Sequence, residues 1–312
     1  MESRSGLTRD ELTRYFSGSQ SGSARVGIEV ECGVVDRQTG LSAAYHGELG
    51  TRRLLECISS ELAGTPYVDE GHLMGVALPT GARFSLELGG ALEYSSAAFS
   101  SLGALIPSAV RDIGHAARVA DRIGLALLAT GMLPVTPVDR IPWIPKARVE
   151  IMRNYFRELG IAGSLAESVM GLTLSIQTTL DYFSEEDLAS KLSLLVLASP
   201  ILAAAFVNSP FEAGAVTGVL SRRLHCWQRV DPARCGVLPF GVRSAAPGGD
   251  LVDWALQLPM IYRVHAGRTT TVPPWRSPRS CSTASTMAPV PTCLTGSAIF
   301  ASLATRPGSK DA

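Results

Sequence analysis

Arg83-Phe-Ser-Leu-Glu-Leu-Gly-Gly-Ala-Leu-Glu-Tyr-Ser-Ser96 is the stretch from which the rest of the chain is read. Phe84, Leu86 and Leu88 alternate with Arg83, Ser85 and Glu87, and a period of two predicts a strand with one buried face. Gly89-Gly90 then breaks or kinks that strand, as glycine does at bulges and where the backbone must approach another group closely. If the register survives the glycines, Glu87 and Glu93 share a face. A second acidic strand is expected from Arg25 to Val35, where Val26, Ile28, Val30, Cys32 and Val34 form the apolar row and Glu29 and Glu31 the other. Acidic residues on the second face of a strand are usually just solvated. Four carboxylates on two strand faces, however, repel one another unless something positive sits between them. Such an oxygen-rich site suits Mg²⁺.

The remaining segments supply the company for these strands. Thr8 and Glu11 predict a capping box opening a short helix through Phe16, followed by a Gly/Ser linker from Ser17 to Ser23. Helices are expected over Thr51–Leu62, about Ala97–Ile123 and about Lys146–Leu159, with a strand and turn over Tyr67–Leu78 and a buried strand over Leu125–Thr130. The proline-dense segment Pro134–Pro145 is expected to be irregular. Gly171–Tyr182 reads as a strand on which Leu172, Leu174, Ile176, Thr178 and Leu180 alternate with Thr173, Ser175, Gln177, Thr179 and Asp181. The second row is polar and uncharged until its end, as suits hydrogen bonding to a ligand. Ser184 caps the next helix, or a helix pair broken at Pro200. Ser221–Phe240 is rich in Arg, His and Trp and holds the turn Asp231-Pro232. Leu251–Leu258 and Met260–Val264 read as a short helix and a strand.

Composition excludes some partners. Lys plus Arg equals Asp plus Glu at 28 each in 312 residues, so no long-range field draws the chain to nucleic acid or an anionic membrane. The first residues lack the apolar stretch of a signal peptide, and the apolar run Leu194–Val207 is interrupted by Ser199-Pro200 and too short for a bilayer. Six cysteines show no Cys-x-x-Cys spacing, so they are expected as buried small hydrophobes in a reducing, cytoplasmic setting. His225 is read as a packed or hydrogen-bonded histidine. After Trp275 the character changes: residues 277–312 hold twelve Ser or Thr and four Pro, and no glutamate follows Glu212. A tail of that composition cannot assemble much of a core.

Acidic strand faces, an uncharged polar strand face and an Arg/His/Trp segment together suit ATP-driven activation of a carboxylate. Carboxylates bind metal, metal binds phosphate oxygens, and arginines clamp anions. Phosphorylation turns a carboxylate into an acyl phosphate that an amine can attack, so catalysis is positioning plus charge neutralisation. No Walker A loop, Gly-x-Ser-x-Gly elbow or His-Glu-x-x-His is present.

Six segments in order resemble glutamate–cysteine ligases of the plant and proteobacterial type, including the related actinobacterial enzyme of ergothioneine synthesis. They are Gly27-Ile-Glu-Val-Glu31, Ser85-Leu-Glu-Leu-Gly-Gly-Ala-Leu-Glu93, Pro145-Lys-Ala-Arg148 with Ile151-Met152, Thr173–Tyr182, Asn208-Ser-Pro-Phe211 and Ser221–Phe240. The resemblance covers roughly residues 25 to 270. It implies an α+β fold of the glutamine-synthetase kind, a curved antiparallel sheet with helices packed on one face, in a catalytic domain at 25–276 between an N-terminal helix and linker (1–24) and the tail (277–312).

The resemblance also implies an ATP- and Mg²⁺-dependent ligase, with two or more ions, joining the γ-carboxyl of glutamate to the amine of cysteine through a γ-glutamyl phosphate. By position, Glu29, Glu31, Glu87 and Glu93 would supply metal ligands. Gln177 and Ser175 would contact substrate, and Arg223 and Arg234 would hold the amino-acid carboxylate or the phosphates as the catalytic pair. Trp227 would line the pocket, with Arg148 and Asp231 also on the substrate or ATP side. The product would feed glutathione or ergothioneine synthesis, with no nucleic acid and no membrane as partner. Departures exist: Ala91 stands for a Gln, Leu172 for an Arg and Thr179 for an Asn, which leaves open another amino acid or amine. Nothing after residue 276 resembles the family's final strand, which reads as a frame change or a diverged end and leaves open a catalytically impaired relative that binds ATP or an amino acid.

Overall fold

A computed structural model describes residues 8–17, 24–238, 240–265 and 268–271. Residues 18–23 of the expected linker and all of the expected tail, 277–312, lie outside them. β1 (Val26–Asp36) is the strand on which the sheet is built, because its two faces carry different chemistry. Ile28, Val30, Cys32 and Val34 face one core, as the alternation requires. On the other face Glu29 and Glu31 give way to Gly33 and to Val35, which joins a second core. Half of one face is thus acidic and half is sealed. A Cβ at Gly33 would lie 2.4 Å from Leu133 Cδ2, so any larger residue there would have to displace the Leu133 side chain from the seal.

The sheet runs β2 (Thr65–Asp69), β3 (His72–Ala77), β4 (Arg83–Leu86), β5 (Leu92–Ser95), β1 and β6 (Leu125–Leu128), with every pair antiparallel. β7 (Ile176–Leu180) also pairs with β1, along Val26–Val30, while β6 pairs along Gly33–Asp36. The stretch Tyr67–Leu78 is a hairpin, turned at Glu70 and Gly71, both of which have positive φ as a tight hairpin turn demands.

Helices cover the apolar face. α2 (Thr51–Glu61) presents Leu54, Leu55 and Ile58, and α3 (Leu102–Arg122) presents Ala109, Ala116, Val119 and Ala120, to Met74, Val76, Phe84, Leu86, Leu92 and Tyr94. α3 starts where the Ser101 hydroxyl accepts the Ala104 N–H at 3.3 Å. The second core gathers α4 (Ala147–Glu158), α5 (Ala166–Leu172) and α7 (Arg222–Trp227) around Met132, Leu133, Phe156, Val169, Leu172, Leu174 and Cys226. The N-terminal helix α1 (Arg9–Ser17) opens on the expected capping box: Thr8 N–H donates to Glu11 Oε2 at 2.6 Å, and Glu11 N–H returns to Thr8 Oγ1 at 3.2 Å. A second helix, α8 (Pro247–Gln257), receives it, with Arg9 paired to Asp253.

Two expectations are corrected. The Gly89-Gly90 break does not kink one strand; it is the loop of a β4–β5 hairpin, closed by Gly90 N–H to Glu87 O and Glu87 N–H to Ala91 O. The strand expected from Gly171 is shorter: residues up to Leu172 belong to α5, Thr173 makes an isolated antiparallel bridge to Met132, and β7 itself starts at Ile176, just after Ser175 O accepts the Glu31 N–H. Its faces are also reversed relative to a simple amphipathic strand, with Gln177 buried and Ile176 69% exposed. The physical reason is the partner, since Gln177 lies opposite Glu29 on the side the protein encloses.

Of the two readings for the segment after Ser184, the single helix holds: α6 (Glu185–Ala205) runs unbroken through Pro200, with the Ser199 hydroxyl donating to Leu195 O at 2.7 Å. Ser184 caps it as expected, accepting from Asp187 N–H. Its 21 residues make it long and apolar enough, by length and composition alone, to cross a membrane. The apolar run Leu194–Val207 therefore begins within this helix and ends two residues past it. Short hairpins β8 (Phe211–Glu212) with β9 (Ala215–Val216), and β10 (Tyr262–His265) with β11 (Arg268–Thr271), complete the described chain.

Candidate active site

Antiparallel register sets the site, because residues directly opposite one another on neighbouring strands project to the same face. Glu31 lies opposite Glu93, and Glu93 opposite Ser85. Glu29 lies opposite both Ser95 and Gln177, and Ser95 opposite Arg83. Two rows of functional side chains therefore cross the sheet at the acidic half of β1. The fourth carboxylate, Glu87, is held at the mouth of the β4–β5 loop.

Hydrogen bonds orient the two central carboxylates. Ser175 Oγ donates to Glu31 Oε2 at 2.8 Å, and Gln177 Nε2 donates to Glu31 Oε1 at 3.3 Å and to Ser175 Oγ at 2.9 Å. Ser85 Oγ and Ser95 Oγ donate to Glu93 Oε1 at 3.3 and 3.2 Å. Arg83 Nε in turn donates to Ser95 Oγ. Few of these groups carry positive charge, and the electrostatics reflect it. Burial, then Glu87 and Glu93, push the Glu31 carboxyl up to about 8, against the hydroxyl of Ser175 and the charge of Arg223. Burial, then Glu87 and Glu29, push Glu93 up to about 7. Glu29 is raised too, by burial first and by Glu87, while Arg83 opposes.

The charge of Glu87 thus acts on the other three glutamates, that of Glu93 on Glu31 and that of Glu29 on Glu93, all on one face of the sheet. Among the described residues no three acidic, histidine or cysteine side chains converge tightly enough to form a ready-made cation site. The donor chemistry nevertheless fits a hard divalent cation: the ligand atoms are carboxylate oxygens, and their negative charge is unmet to the point of holding protons near neutral pH.

The other expected residues fall into two groups. Arg223 reaches the acidic region from α7, donating through Nε to Leu174 O at 3.0 Å, and its charge favours ionised Glu31. Arg234 and Asp231 are instead engaged with each other. The guanidinium donates to Asp231 Oδ2 at 2.6 Å, to the Tyr155 hydroxyl and to Pro259 O, while the Tyr155 hydroxyl donates to Asp231 at 3.0 Å. Both side chains of that pair are buried, and no contact joins them to the glutamates. Trp227 packs on the second core with its indole N–H buried and unpartnered, and Arg148 likewise has a buried, unpartnered Nε.

Arg83, Ser85, Ser95 and Lys146 are additions that sequence reasoning did not select. The serines sit two residues from an acidic neighbour on a strand, so the period-two pattern that marked the glutamates would have found them. Cys32 and Cys226 are buried and Cys57 and Cys235 half-buried, all four free.

An antiparallel sheet with an acidic face, Arg83 and Arg223 beside it, is the architecture of the site. The comparisons with known proteins give the family. Residues 25–288 match the profile of Glutamate-cysteine ligase family 2 (GCS2), and the chain belongs to that family. It is 36% identical over 268 residues to the chloroplastic glutamate–cysteine ligase of Solanum lycopersicum, covering 82% of this chain and 48% of the relative. It is 32% identical over 268 residues to that of Nicotiana tabacum, with the same two shares. It is 34% identical over 259 residues to glutamate–cysteine ligase B, chloroplastic, of Oryza sativa subsp. japonica, covering 82% and 51%. The chain spans about half the length of the curated relatives it matches.

Proposed function

We propose that this chain carries the site of an ATP- and Mg²⁺-dependent ligase that joins the γ-carboxyl of glutamate to the amine of cysteine, in a cytoplasmic setting. The observation that carries the reading is the opposition of Glu31 and Glu93, with Glu87 in electrostatic reach of both and Glu29 in reach of Glu93. Glu29, Glu31, Glu87 and Glu93 would hold the cations, which supply charge neutralisation to phosphate oxygens when bound. In this reading the antiparallel sheet is of the glutamine-synthetase kind.

The chemistry balances without a covalent nucleophile from the protein. A glutamate γ-carboxylate oxygen takes the γ-phosphoryl group of ATP, giving γ-glutamyl phosphate and ADP. The cysteine amine then attacks the acyl carbon, phosphate leaves, and the amine gives up one proton. In that sequence Ser175 and Gln177 fix the Glu31 carboxylate, Ser85 and Ser95 fix Glu93, and Arg223 offsets the negative charge beside them. The enclosed surface limits water that would otherwise hydrolyse an acyl phosphate.

Incubation with glutamate, cysteine, ATP and Mg²⁺, read by mass spectrometry, is expected to yield γ-glutamylcysteine in step with phosphate release. Release of phosphate only with another amine, in a panel of amino acids, would move the assignment within the ligases, to the side that Ala91, Leu172 and Thr179 favour. A second reading follows from the change of composition after residue 276, where nothing resembles the family's final strand: a member that binds ATP or amino acid without turnover. Calorimetric binding of Mg·ATP with no γ-glutamyl product would establish that reading instead.

A further inference from the structure

Lys146 stands just before α4 as its N-cap residue, in an extended conformation, and its side chain makes no cap. Nζ instead reaches back under the β4–β5 loop and donates to Leu86 O, the carbonyl preceding Glu87, at 3.2 Å. A second bond, Ile144 N–H to Leu88 O at 3.1 Å, fixes the same segment against the same loop. An ammonium group has three donors. One is used, and among the described residues no carboxylate pairs with the other two. Yet the group lies in the field of Glu87, Asp69 and Glu93, with Arg148 as its cationic neighbour, and its burial disfavours the charge it carries. A half-buried lysine with spare donors, at the rim of an acidic face and beside a second cation with a buried, unpartnered Nε, is placed to receive an anion.

We propose that Lys146 is an oxyanion-binding residue of the site, receiving either a phosphate oxygen of the nucleotide or a carboxylate of the amino acid at the edge of the Glu87–Glu93 surface. The inference rests on the ligase reading, and it adds to Arg223 on α7 a second positively charged contact, held at the β4–β5 loop. The bland alternative is that Lys146 only props the loop through Leu86 O. That role predicts a loss of stability when the side chain is shortened, but no response of the amine to substrate.

Only three lysines, Lys146, Lys191 and Lys310, occur in the chain, so amine acylation read by peptide mass mapping can follow each one on the unaltered protein. Lys191 is the internal reference, since its ammonium is bonded to Asp187 Oδ2 and Asp181 O at 2.7 Å each. With ligand at ten times its Kd, Mg·ATP in one arm or glutamate in the other is expected to slow acylation of Lys146 about tenfold. Labelling of Lys191 stays level, and the protecting arm identifies the oxyanion. Lys146→Met should raise the KM of that same substrate about tenfold, and Lys146→Arg should recover part of it.

Equal labelling of Lys146 in all arms, from protein that forms γ-glutamyl product, overturns the inference and leaves the ligase reading standing. Protein that forms no product and binds neither ligand by calorimetry overturns both. Protection of Lys146 in protein without turnover supports the inference within the binding-only reading.

Discussion

Glu31 and Glu93 are direct Cα partners across the β1–β5 pair, and each carries a carboxyl whose ionisation is pushed upward, to about 8 and about 7. Opposed like charges on adjacent strands destabilise a sheet. Their persistence here is a cost borne at the place where the chemistry is expected.

That cost has a pH signature. Both folded carboxyls titrate above their ordinary value of 4.5, so the folded protein holds protons that the unfolded chain has released. Their stabilisation is complete below about pH 4.5 and is lost as pH rises through about 7 to 8. Thermal unfolding is therefore expected at lower temperature near pH 8.5 than near pH 6, and Glu31→Gln should shrink the difference. Mg²⁺ should raise Tm more at the higher pH, where the carboxylates are free to bind it. A wild-type Tm that is flat across this range, with no Mg²⁺ effect, would contradict the assignment of these residues.

Glu87 sits at the loop mouth, where its charge pushes the pKa of all three other glutamates upward. Glu87→Gln is expected to abolish ATP-dependent product formation, a loss of about a hundredfold or more, while the circular dichroism spectrum and unfolding midpoint stay near wild type. Unchanged turnover would remove Glu87 from the site.

Gly89 is fixed by a close approach of two backbones: a Cβ there would lie 2.2 Å from Gly171 O and 2.5 Å from Gly171 Cα. Gly89→Ala must push the acidic loop away from α5 and should cost about 1–3 kcal/mol in urea unfolding, and turnover with it. Gly71, at φ +83 with open space around it, is the control. Gly71→Ala should cost only about 1 kcal/mol of backbone strain and spare activity.

The buried Arg234–Asp231 pair tests whether Arg234 is a structural tie or a substrate clamp. Asp231→Ala leaves an uncompensated guanidinium and should cost about 3–5 kcal/mol, with Arg234→Met in the same background recovering part of it. Were Arg234 chiefly a clamp, Arg234→Met alone would leave the urea midpoint in place and raise the KM for glutamate or ATP.

Much of this molecule is written in local periodicity. The alternation of Val26 to Val34 with Glu29 and Glu31 is sufficient to predict β1 and its two faces, because a pleated strand leaves a side chain no third direction. Thr8 with Glu11 and Ser184 with Asp187 announce their helices by chemistry confined to one turn. The glutamates are legible for the same reason, as acidic residues at period two beside glycines. Strand pairing is not local. That Glu31 faces Glu93 follows from a hairpin at Gly89-Gly90 and from β1 entering between β5 and β7, and both depend on contacts far apart in the chain. Gln177 buried and Ile176 exposed follow from which face the second core encloses. The bonding of Arg234 to Asp231 rather than to the acidic surface, and the reach of Lys146 beneath Glu87, were decided by packing. A side chain's partners are set by the neighbours that folding brings, not by those the sequence places beside it.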